Sequence, residues 1–330
     1  MREKKVYFFF DEIQHVDNWE KFVRRIYDTL DVEIFITGSS SKLLSAEIAT
    51  GLRGRTITYE IFPLSFAEYL RFKNIDVNFY SSRSLSYIVN AFDQYVIDGG
   101  FAETINATSD IQKRMLKDYV DLIIYKDIIE RHGVKNHALM KHLVKYCFSN
   151  MGTLVSMTRL FNDFKSQGFK LSKDTLFDYF SYLSDAFAVF DVPIFRNSVR
   201  AEQRNPKKIY SIDNGFKSVF HVSLSPDYGR LYENIAFLHL RRKTNEVYYF
   251  HQNQEVDFYC QTEKEQIIAN ISYDIEAIKT REREIKGLMD ALRFFDCNQG
   301  YLVTKNYEET IVQDNKEIII IPLWKWLLSI

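Results

Sequence analysis

Two adjacent carboxylates, Asp11 and Glu12, directly follow an apolar run, Val6–Phe10. Such a run is typical of a strand in a parallel sheet, and ligands of open α/β sheets lie beyond the carboxyl ends of the strands. An aspartate there can hold the Mg²⁺ of a nucleotide, and a glutamate can polarise the attacking water. The two acids could equally precede a solvent-exposed helix, whose dipole favours negative charge. The motif alone leaves both interpretations open.

A second apolar run ends in hydroxyl side chains. Residues 32–41, VEIFITGSSS, predict a buried strand, and a helical pattern separates it from the first strand. Strand, helix and strand within about 36 residues predict a parallel βαβ unit, which brings both carboxyl ends to one edge of the sheet. Thr37, Ser39 and Ser40 then lie beside the carboxylates, where they can sense a γ-phosphate or orient water.

The rest of the sequence predicts further regions of regular structure. Residues 56–70 contain a third strand, Pro63 and a short helix, and 84–150 are helical. Between 156 and 212, helix, turn, helix and two strands around a basic loop give the layout of a winged helix. The remainder predicts an α/β or α+β region, with helices near 230–242 and 280–295 and strands at 246–251, 255–260, 266–273, 300–304 and 317–321.

Composition limits the classes of protein to which the chain can belong. Its 330 residues are 46% hydrophobic and 26% charged, as in globular proteins, and the net charge of -1 favours no particular partner. Cys147, Cys260 and Cys297 have no CxxC spacing, so we expect reduced thiols rather than a disulfide framework or a zinc site. No apolar run reaches the ~18–20 residues that span a bilayer. We expect a soluble, cytoplasmic protein without membrane contact.

An ordered set of motifs extends along nearly the whole chain. It comprises FFFDE, FITGSSS, LRGRTITYEIFPLSFAEYL, DGGFAET (98–104), YKDIIERHGV (125–134), SYLSDAFAVFDV (181–192), NPKKIYSIDNGF (205–216), the segment 231–259 and REREIKGLMDAL (281–292). In this order the motifs resemble the AAA-type P-loop ATPases whose carboxyl half is a domain of unknown function, DUF4143. The resemblance implies an α/β fold: a parallel-sheet P-loop NTPase core (1–72), a helical lid (73–150), a winged helix (151–212) and a restriction-endonuclease-like domain (213–330).

The resemblance also implies roles for the residues at the predicted sheet edge. Asp11 would be the Mg²⁺ ligand of bound ATP, and Glu12 would be the catalytic base. Ser39 or Ser40 would sense the nucleotide, and Thr37 would lie in the same cofactor site. ATP and Mg²⁺ are therefore the expected cofactors of the family.

A pair of arginines follows in the segment LRGR. Arg53 and Arg55 match the Gly-Arg segment of the family, where a guanidinium that faces phosphate or a neighbouring subunit would stabilise phosphoryl charge. A surface pair without such a role is the open alternative.

The phosphate-binding loop of these ATPases has no counterpart in the sequence. A P-loop requires G-x-x-x-x-G-K-[ST], and none of the 12 glycines is followed by lysine. The family carries this loop upstream of the Asp-Glu strand, whereas only ten residues precede Asp11. We expect an amino-truncated family member that has lost tight ATP binding and hydrolysis. Apolar strand surface would then be covered by rearrangement or by self-association into a homo-oligomer.

A second set of acids lies in the carboxyl-terminal part. By resemblance to PD-(D/E)xK nucleases, Glu233 and Asp257 would be metal ligands, with Glu255 nearby. The acid-x-Lys positions fall at Asn270 and Ser272, and neither is a strong ligand for a hard metal or a base. The prediction is a degenerate nuclease-like site that retains the fold without the chemistry.

Basic residues cluster in the predicted wing of the winged helix. They are Arg196, Arg200, Arg204, Lys207 and Lys208, and a second run occupies 241–243. Such clusters predict non-specific, salt-sensitive contacts with DNA phosphates, although a solvated loop is the open alternative. The leading hypothesis is an AAA-superfamily ATPase-like protein, impaired in nucleotide binding and associated with DNA. The alternative is a non-catalytic module that binds DNA or protein.

Overall fold

The computed structural model describes residues 5–13, 16–39, 52, 54–196, 198, 205–220 and 226–329. Strands within these ranges are β1 (Val6–Phe10), β2 (Val32–Ile36), β3 (Thr153–Val155), β4 (Val189–Val192), β5 (Lys207–Ser211), β6 (Val247–His251), β7 (Glu255–Gln261), β8 (Gln266–Ile271), β9 (Gln299–Thr304), β10 (Glu309–Gln313) and β11 (Lys316–Pro322).

Helices account for most of the remaining described residues. They are α1 (Trp19–Thr29), α2 (Phe66–Phe72), α3 (Ser82–Asp98), α4 (Ser109–Leu122), α5 (His137–Ser149), α6 (Met157–Ser166), α7 (Lys173–Asp185), α8 (Gly215–Phe220), α9 (Tyr228–Arg241), α10 (Ile278–Phe294) and α11 (Leu323–Ser329). A π-helical segment, Ile123–Glu130, continues α4 without a break. No helix in the described ranges is both long enough and apolar enough to cross a bilayer.

The amino-terminal unit is the predicted parallel βαβ arrangement. β1 pairs with β2 in parallel, from Val6 opposite Val32 to Phe10 opposite Ile36. Its small core forms where Trp19 and Val23 of α1 pack with Ile13 and Leu52. The opposite face of the sheet, with Tyr7, Phe9 and Phe35, is exposed, and Phe9 stacks on Phe35 with ring centroids 5.2 Å apart. Self-association over this face stays a prediction.

The predicted third strand at 56–62 is wrong. These residues form no strand, and Ile57, Tyr59 and Ile61 are 82%, 77% and 90% exposed. The alternation of apolar side chains is that of a strand, but no described strand lies beside the segment to supply its hydrogen bonds. The alternating pattern therefore predicted a paired strand that the structure does not contain at these residues.

A small antiparallel sheet with three helices forms the middle of the chain. The strand order is β3-β5-β4, with Thr153 opposite Ile209 and Val189 opposite Ser211. Chain order is helix α5, strand β3, helices α6 and α7, then strands β4 and β5. Ser172 caps α7 through Thr175 N at 3.0 Å, at the residue that the sequence indicates. One apolar cluster joins these helices to α4 and α8.

The carboxyl-terminal sheet has six strands in the order β10-β11-β9-β8-β7-β6. β6, β7 and β8 form an antiparallel meander, and β8 pairs in parallel with β9 after the crossover helix α10. One face packs against α9 and α11, and the other packs against α10. Helices α2 and α3 contribute side chains to the first of these cores. Phe92 of α3 lies against Tyr232 of α9, with ring centroids 5.5 Å apart. The domain boundaries drawn from the sequence stay predictions.

A buried polar joint lies where these regions meet. The carboxylate of Asp213, 3% exposed, accepts hydrogen bonds from the backbone N–H groups of Gly100 at 2.6 Å and Gly215 at 2.7 Å. The next residue, Asn214, donates its amide to the carbonyl of Val96 at 2.8 Å and accepts from Asn234 at 3.0 Å. The joint thereby ties the end of α3 to the start of α8 and to α9.

Candidate functional site

The carboxyl ends of β1 and β2 bring the predicted site residues together. The parallel register places Asp11 and Thr37 directly after paired strand residues, and Thr37 N donates to the carbonyl of Phe10 at 2.9 Å. The Thr37 hydroxyl donates to Asp11 Oδ1. One oxygen of an exposed carboxylate is thus fixed by the neighbouring strand, while the other is held by no described hydrogen bond.

Glu12 and Ser39, which follow the ends of β1 and β2, also face each other. Glu12 turns away from β1 with a positive φ of 49°, and its N–H lies 3.4 Å from Thr37 Oγ1. Ser39 Oγ lies 3.3 Å from Glu12 Oε2. The left-handed backbone at Glu12 turns the chain sharply after β1. The carboxylate of Glu12 therefore lies at the same edge of the sheet as that of Asp11.

A distant part of the chain completes this edge. Ser39 Oγ donates to Asp127 Oδ1 at 2.8 Å and accepts from Arg131 at 3.2 Å, while Arg131 and Asp127 form an ion pair at 3.5 Å. Asp127 belongs to the π-helical segment, a geometry that often marks functional positions. The sequence prediction missed both residues. The available signal was their i, i+4 spacing within YKDIIERHGV.

The remaining residues predicted for this site lie elsewhere. Arg55 pairs with Asp28 in the last turn of α1 and lies over the ring of Tyr27 at 5.6 Å. The parallel βαβ path puts this turn at the opposite edge of the sheet from Asp11. Ser40 and Arg53 lie outside the described residues.

The carboxyl-terminal acids form a second cluster, around a lysine. Lys208 Nζ lies 3.0 Å from Glu233 on α9, 2.8 Å from Glu255 and 2.7 Å from Asp257, both on β7. Lys208 is only 2% exposed, so these contacts take place away from solvent. Glu255 and Asp257 are two residues apart on one strand and therefore point to the same face.

Backbone and neutral side chains fix the acids of this cluster. The N–H group of Ile271 donates to Asp257 Oδ2 at 2.8 Å. The backbone N–H group of Asp257 itself donates to Asn270 Oδ1 at 2.9 Å. Asn270 donates to Glu284 on α10 at 2.8 Å. The structure therefore joins Asn270 to the cluster but not Ser272, whose hydroxyl donates to the backbone carbonyl two residues later.

Burial and charge pull the pKa values of this cluster in opposite directions. Burial raises the pKa of Glu233 to about 7, although Lys208 counteracts the shift. Burial alone would lower the pKa of Lys208, but the attraction of Asp257 and Glu233 outweighs burial and raises this pKa well above its usual value. Lys208 is therefore a permanent cation at physiological pH.

The predicted phosphate-contacting role of Lys208 is wrong, because its ammonium is buried among carboxylates. Strand β5 begins at Lys207, so both lysines belong to a strand rather than to a free loop. Lys207 pairs with Asp191, and Arg196 donates to the carbonyl of His251 at 3.2 Å. Arg200 and Arg204 lie outside the described residues.

Arginines of the second basic run, 241–243, bind the segment that follows the amino-terminal unit. Arg241 forms an ion pair with Glu60 at 2.7 Å, and Arg242 donates to the carbonyl of Pro63 at 2.6 Å. These arginines, at the end of α9, therefore act as internal ties in this structure.

Comparison with known proteins establishes the family. Residues 1–70 match the family model of an AAA domain. An uncharacterized protein of Methanocaldococcus jannaschii, MJ1544, is 39% identical over 334 residues, which cover 97% of this chain and 74% of that protein. The chain belongs to this AAA-like ATPase family. An uncharacterized protein of Haemophilus influenzae is 29% identical over 323 residues, covering 98% of the chain and 78% of that relative.

A second family model matches the middle of the chain. Residues 89–224 match a domain of unknown function described as DUF8612. The resemblance of the carboxyl half to DUF4143 stays a prediction. Among the residues that the structure describes, no group of three or more His, Cys, Asp or Glu side chains is arranged to hold a metal ion.

Proposed function

We propose that the AAA domain supplies the magnesium and water side of a nucleotide-hydrolysis site. The observation that carries the proposal is the meeting of Asp11, Glu12, Thr37 and Ser39 at one carboxyl edge of a parallel sheet. That edge is where open α/β sheets bind ligands. The family match to an AAA domain supports nucleotide chemistry at this place.

The oxygen atoms at this edge are suitable ligands for Mg²⁺, but they do not form a binding loop for the phosphates. Mg²⁺ prefers hard oxygen ligands and is commonly held by one or two carboxylates together with substrate phosphates. The exposed Asp11 carboxylate and the Thr37 hydroxyl supply such oxygens. Since no glycine-lysine pair occurs among the 330 residues, we propose that the phosphate cradle of the site comes from outside them.

Each residue has a distinct proposed role. Asp11, oriented by Thr37, would hold Mg²⁺, which neutralises charge on the phosphoryl oxygens when bound. Glu12 would accept a proton from the attacking water. Ser39, in contact with both Glu12 and Asp127, would link the site to the π-helical segment.

The proposal predicts weak, metal-dependent nucleotide binding at this edge. With no P-loop in the chain, we expect ATP to bind with a Kd on the order of 1 mM, about -4 kcal/mol. Mn²⁺ added with ATP should broaden the amide NMR signals of residues 10–12 and 37–39 by paramagnetic relaxation. Asp11→Asn should remove this local broadening, because an amide is a weaker ligand for a hard cation.

Asp31→Asn is the matched control for this experiment. Asp31 directly precedes β2 and therefore lies at the opposite edge of the same sheet. We expect the control to broaden as the wild type does. Broadening confined to other parts of the chain would refute the site, and micromolar affinity would refute the view that the phosphate cradle lies outside these residues.

A second candidate function is DNA association, which the order of elements in the middle region favours. The sequence helix, strand, helix, helix, strand, strand with sheet order β3-β5-β4 is that of a winged helix. Likewise, α9, three antiparallel strands, α10 and β9 follow the order of a restriction-endonuclease-like core. We propose both fold assignments on this basis. Phosphate contacts would then fall to Arg196, Arg200 and Arg204, since Lys207 and Lys208 are paired with acids.

Salt dependence tests DNA association. Three arginine–phosphate contacts give a log–log salt slope of about -2.7, so affinity for a short duplex should fall about 40-fold between 50 and 200 mM salt. The triple alanine variant of these arginines should lose most of this dependence in fluorescence anisotropy. Arg283→Ala, which removes an exposed arginine from α10, should not. Binding that ignores salt, or survives the triple change, would count against phosphate contact.

A further inference from the structure

We infer that Lys208 is the resident cation of the carboxyl-terminal carboxylate cluster and occupies the place that a divalent metal ion would otherwise take. This inference concerns a site separate from the proposed nucleotide site. The cluster consists of Glu233, Glu255 and Asp257 with the Lys208 ammonium between them.

The ammonium group of Lys208 is in contact with three carboxylates. A lysine ammonium has three N–H donors and no acceptor. Three carboxylates, one each from Glu233, Glu255 and Asp257, lie 2.7–3.0 Å from Nζ. Two of the donors form hydrogen bonds to Glu233 and Asp257, and Glu255 forms an ion pair with the same nitrogen.

The charge balance requires a cation between these three carboxylates. Buried carboxylates are strongly unfavourable unless a positive charge compensates them. Glu233 is also held by the Tyr210 hydroxyl at 2.7 Å, which contributes a hydrogen bond but no charge. Arg283, a cation near the cluster, bonds to Glu284, and its side chain is 60% exposed. Lys208 thus supplies the central compensating charge.

Distances explain why lysine and metal exclude each other. Carboxylate oxygens bind Mg²⁺ at about 2.0–2.1 Å and Ca²⁺ at about 2.3–2.6 Å. The oxygens here surround Nζ at 2.7–3.0 Å, so contraction by less than about 1 Å would bring them to a metal ion at the same centre. Both cations cannot occupy that point. Removal of the ammonium should therefore leave a site that accepts a divalent cation.

The position of Lys208 on β5 also allows it to connect two sheets. Lys208 lies on β5 of the three-stranded sheet, whereas its partners lie on α9 and on β7 of the six-stranded sheet. The contacts therefore fasten the middle region to the carboxyl-terminal sheet through charge.

Lys208→Met tests the inference, because methionine keeps much of the side-chain volume without the charge. In the absence of divalent ions we expect the Tm to fall by about 10 °C, since three partly buried carboxylates lose their cation. Mn²⁺ or Ca²⁺ should raise the Tm of this variant by several degrees and leave the wild type unchanged. Lys207→Met, which removes a half-exposed lysine with one acidic partner, should shift the Tm little and show no metal response.

The inference fails if Mn²⁺ or Ca²⁺ stabilises the wild type as much as Lys208→Met, or if the variant melts like the wild type and ignores both ions. If the variant does not fold, reductive methylation of the wild type followed by mass spectrometry provides the test. Lys207 should be modified readily and Lys208 should be protected until the protein is denatured. Equal modification of the two lysines in the folded protein would overturn the inference.

Discussion

Replacement of Asp213 by alanine is expected to lower the free energy of unfolding by about 2–6 kcal/mol. The two oxygens of Asp213 accept the N–H groups of Gly100 and Gly215, and alanine would leave both donors buried without a partner. Each such loss costs about 1–3 kcal/mol. Chemical denaturation measures the difference. Asp178→Ala, at an exposed position of α7, is the control and should stay within about 0.5 kcal/mol of the wild type.

The same residue should leave a signature in the pH dependence of stability. Burial raises the pKa of Asp213 to about 7, against the opposing effects of its two N–H donors and Arg242, and Asp98 adds to the rise. Between about pH 4 and 7 the folded state keeps a proton that the unfolded chain has released, so stability falls as pH rises. The slope from this group is at most about 1.4 kcal/mol per pH unit.

The alanine variant should lose part of this slope. Glu233, whose pKa burial also raises to about 7, contributes with the same sign and stays in place. We therefore expect a shallower fall with pH rather than a flat profile. An unchanged slope, or an Asp213→Ala variant as stable as Asp178→Ala, would contradict the role assigned to the joint.

Replacement of Gly99 by alanine should have a comparable or larger effect, about 3 kcal/mol or more. Gly99 has φ 81° and ψ -165°, a region that is essentially restricted to glycine. A Cβ atom there would lie 1.8 Å from Asp213 Oδ1, so the carboxylate would have to leave its two N–H partners. Urea denaturation of the variant measures the loss.

Gly133→Ala is the matched control for this substitution. Gly133 also has a positive φ, 60°, but a Cβ atom would meet nothing within 4 Å. The control should lose only about 1 kcal/mol, the usual effect of a side chain in left-handed backbone. Equal losses in the two variants would show that contact with Asp213 is unimportant.

The local part of the proposed nucleotide site was predictable from the sequence. Apolar runs of five residues, separated by a helical pattern, predict the parallel pair β1–β2, and parallel pairing then places Asp11 beside Thr37. Asp127 and Arg131 were not predictable in the same way. They lie 88 and 92 residues from Ser39, and only tertiary packing determines that contact.

The role of Lys208 shows where local composition misleads. Lys207 and Lys208 resemble part of a basic loop when charges are counted. Strand alternation provides the missing signal, since Lys208 shares a face with Tyr210, and both contact Glu233. A charged residue two positions from a buried tyrosine in an apolar strand indicates a buried ion pair rather than a surface contact.

The hairpin β10–β11 was missed for a different reason. Its turn, Asp314-Asn315, has positive φ at both residues, 51° and 57°, the geometry of a type I′ turn. Asp and Asn tolerate this backbone, so QDNKE between two β-prone runs was an available hairpin signal. The exposed, partly charged strand β10 obscured it, because its side chains show little apolar alternation.

The lysine-centred cluster has a consequence for the inheritance of this chain. Lys208 precedes residue 213, at which the carboxyl-terminal domain was predicted to begin, and its three acidic partners follow it. A recombination event that joined this domain to a foreign middle region would bring the acids without their cation. Substitution at position 208 would likewise favour later loss of the acids. These four positions should therefore be inherited and replaced together, as one unit that crosses the predicted domain boundary.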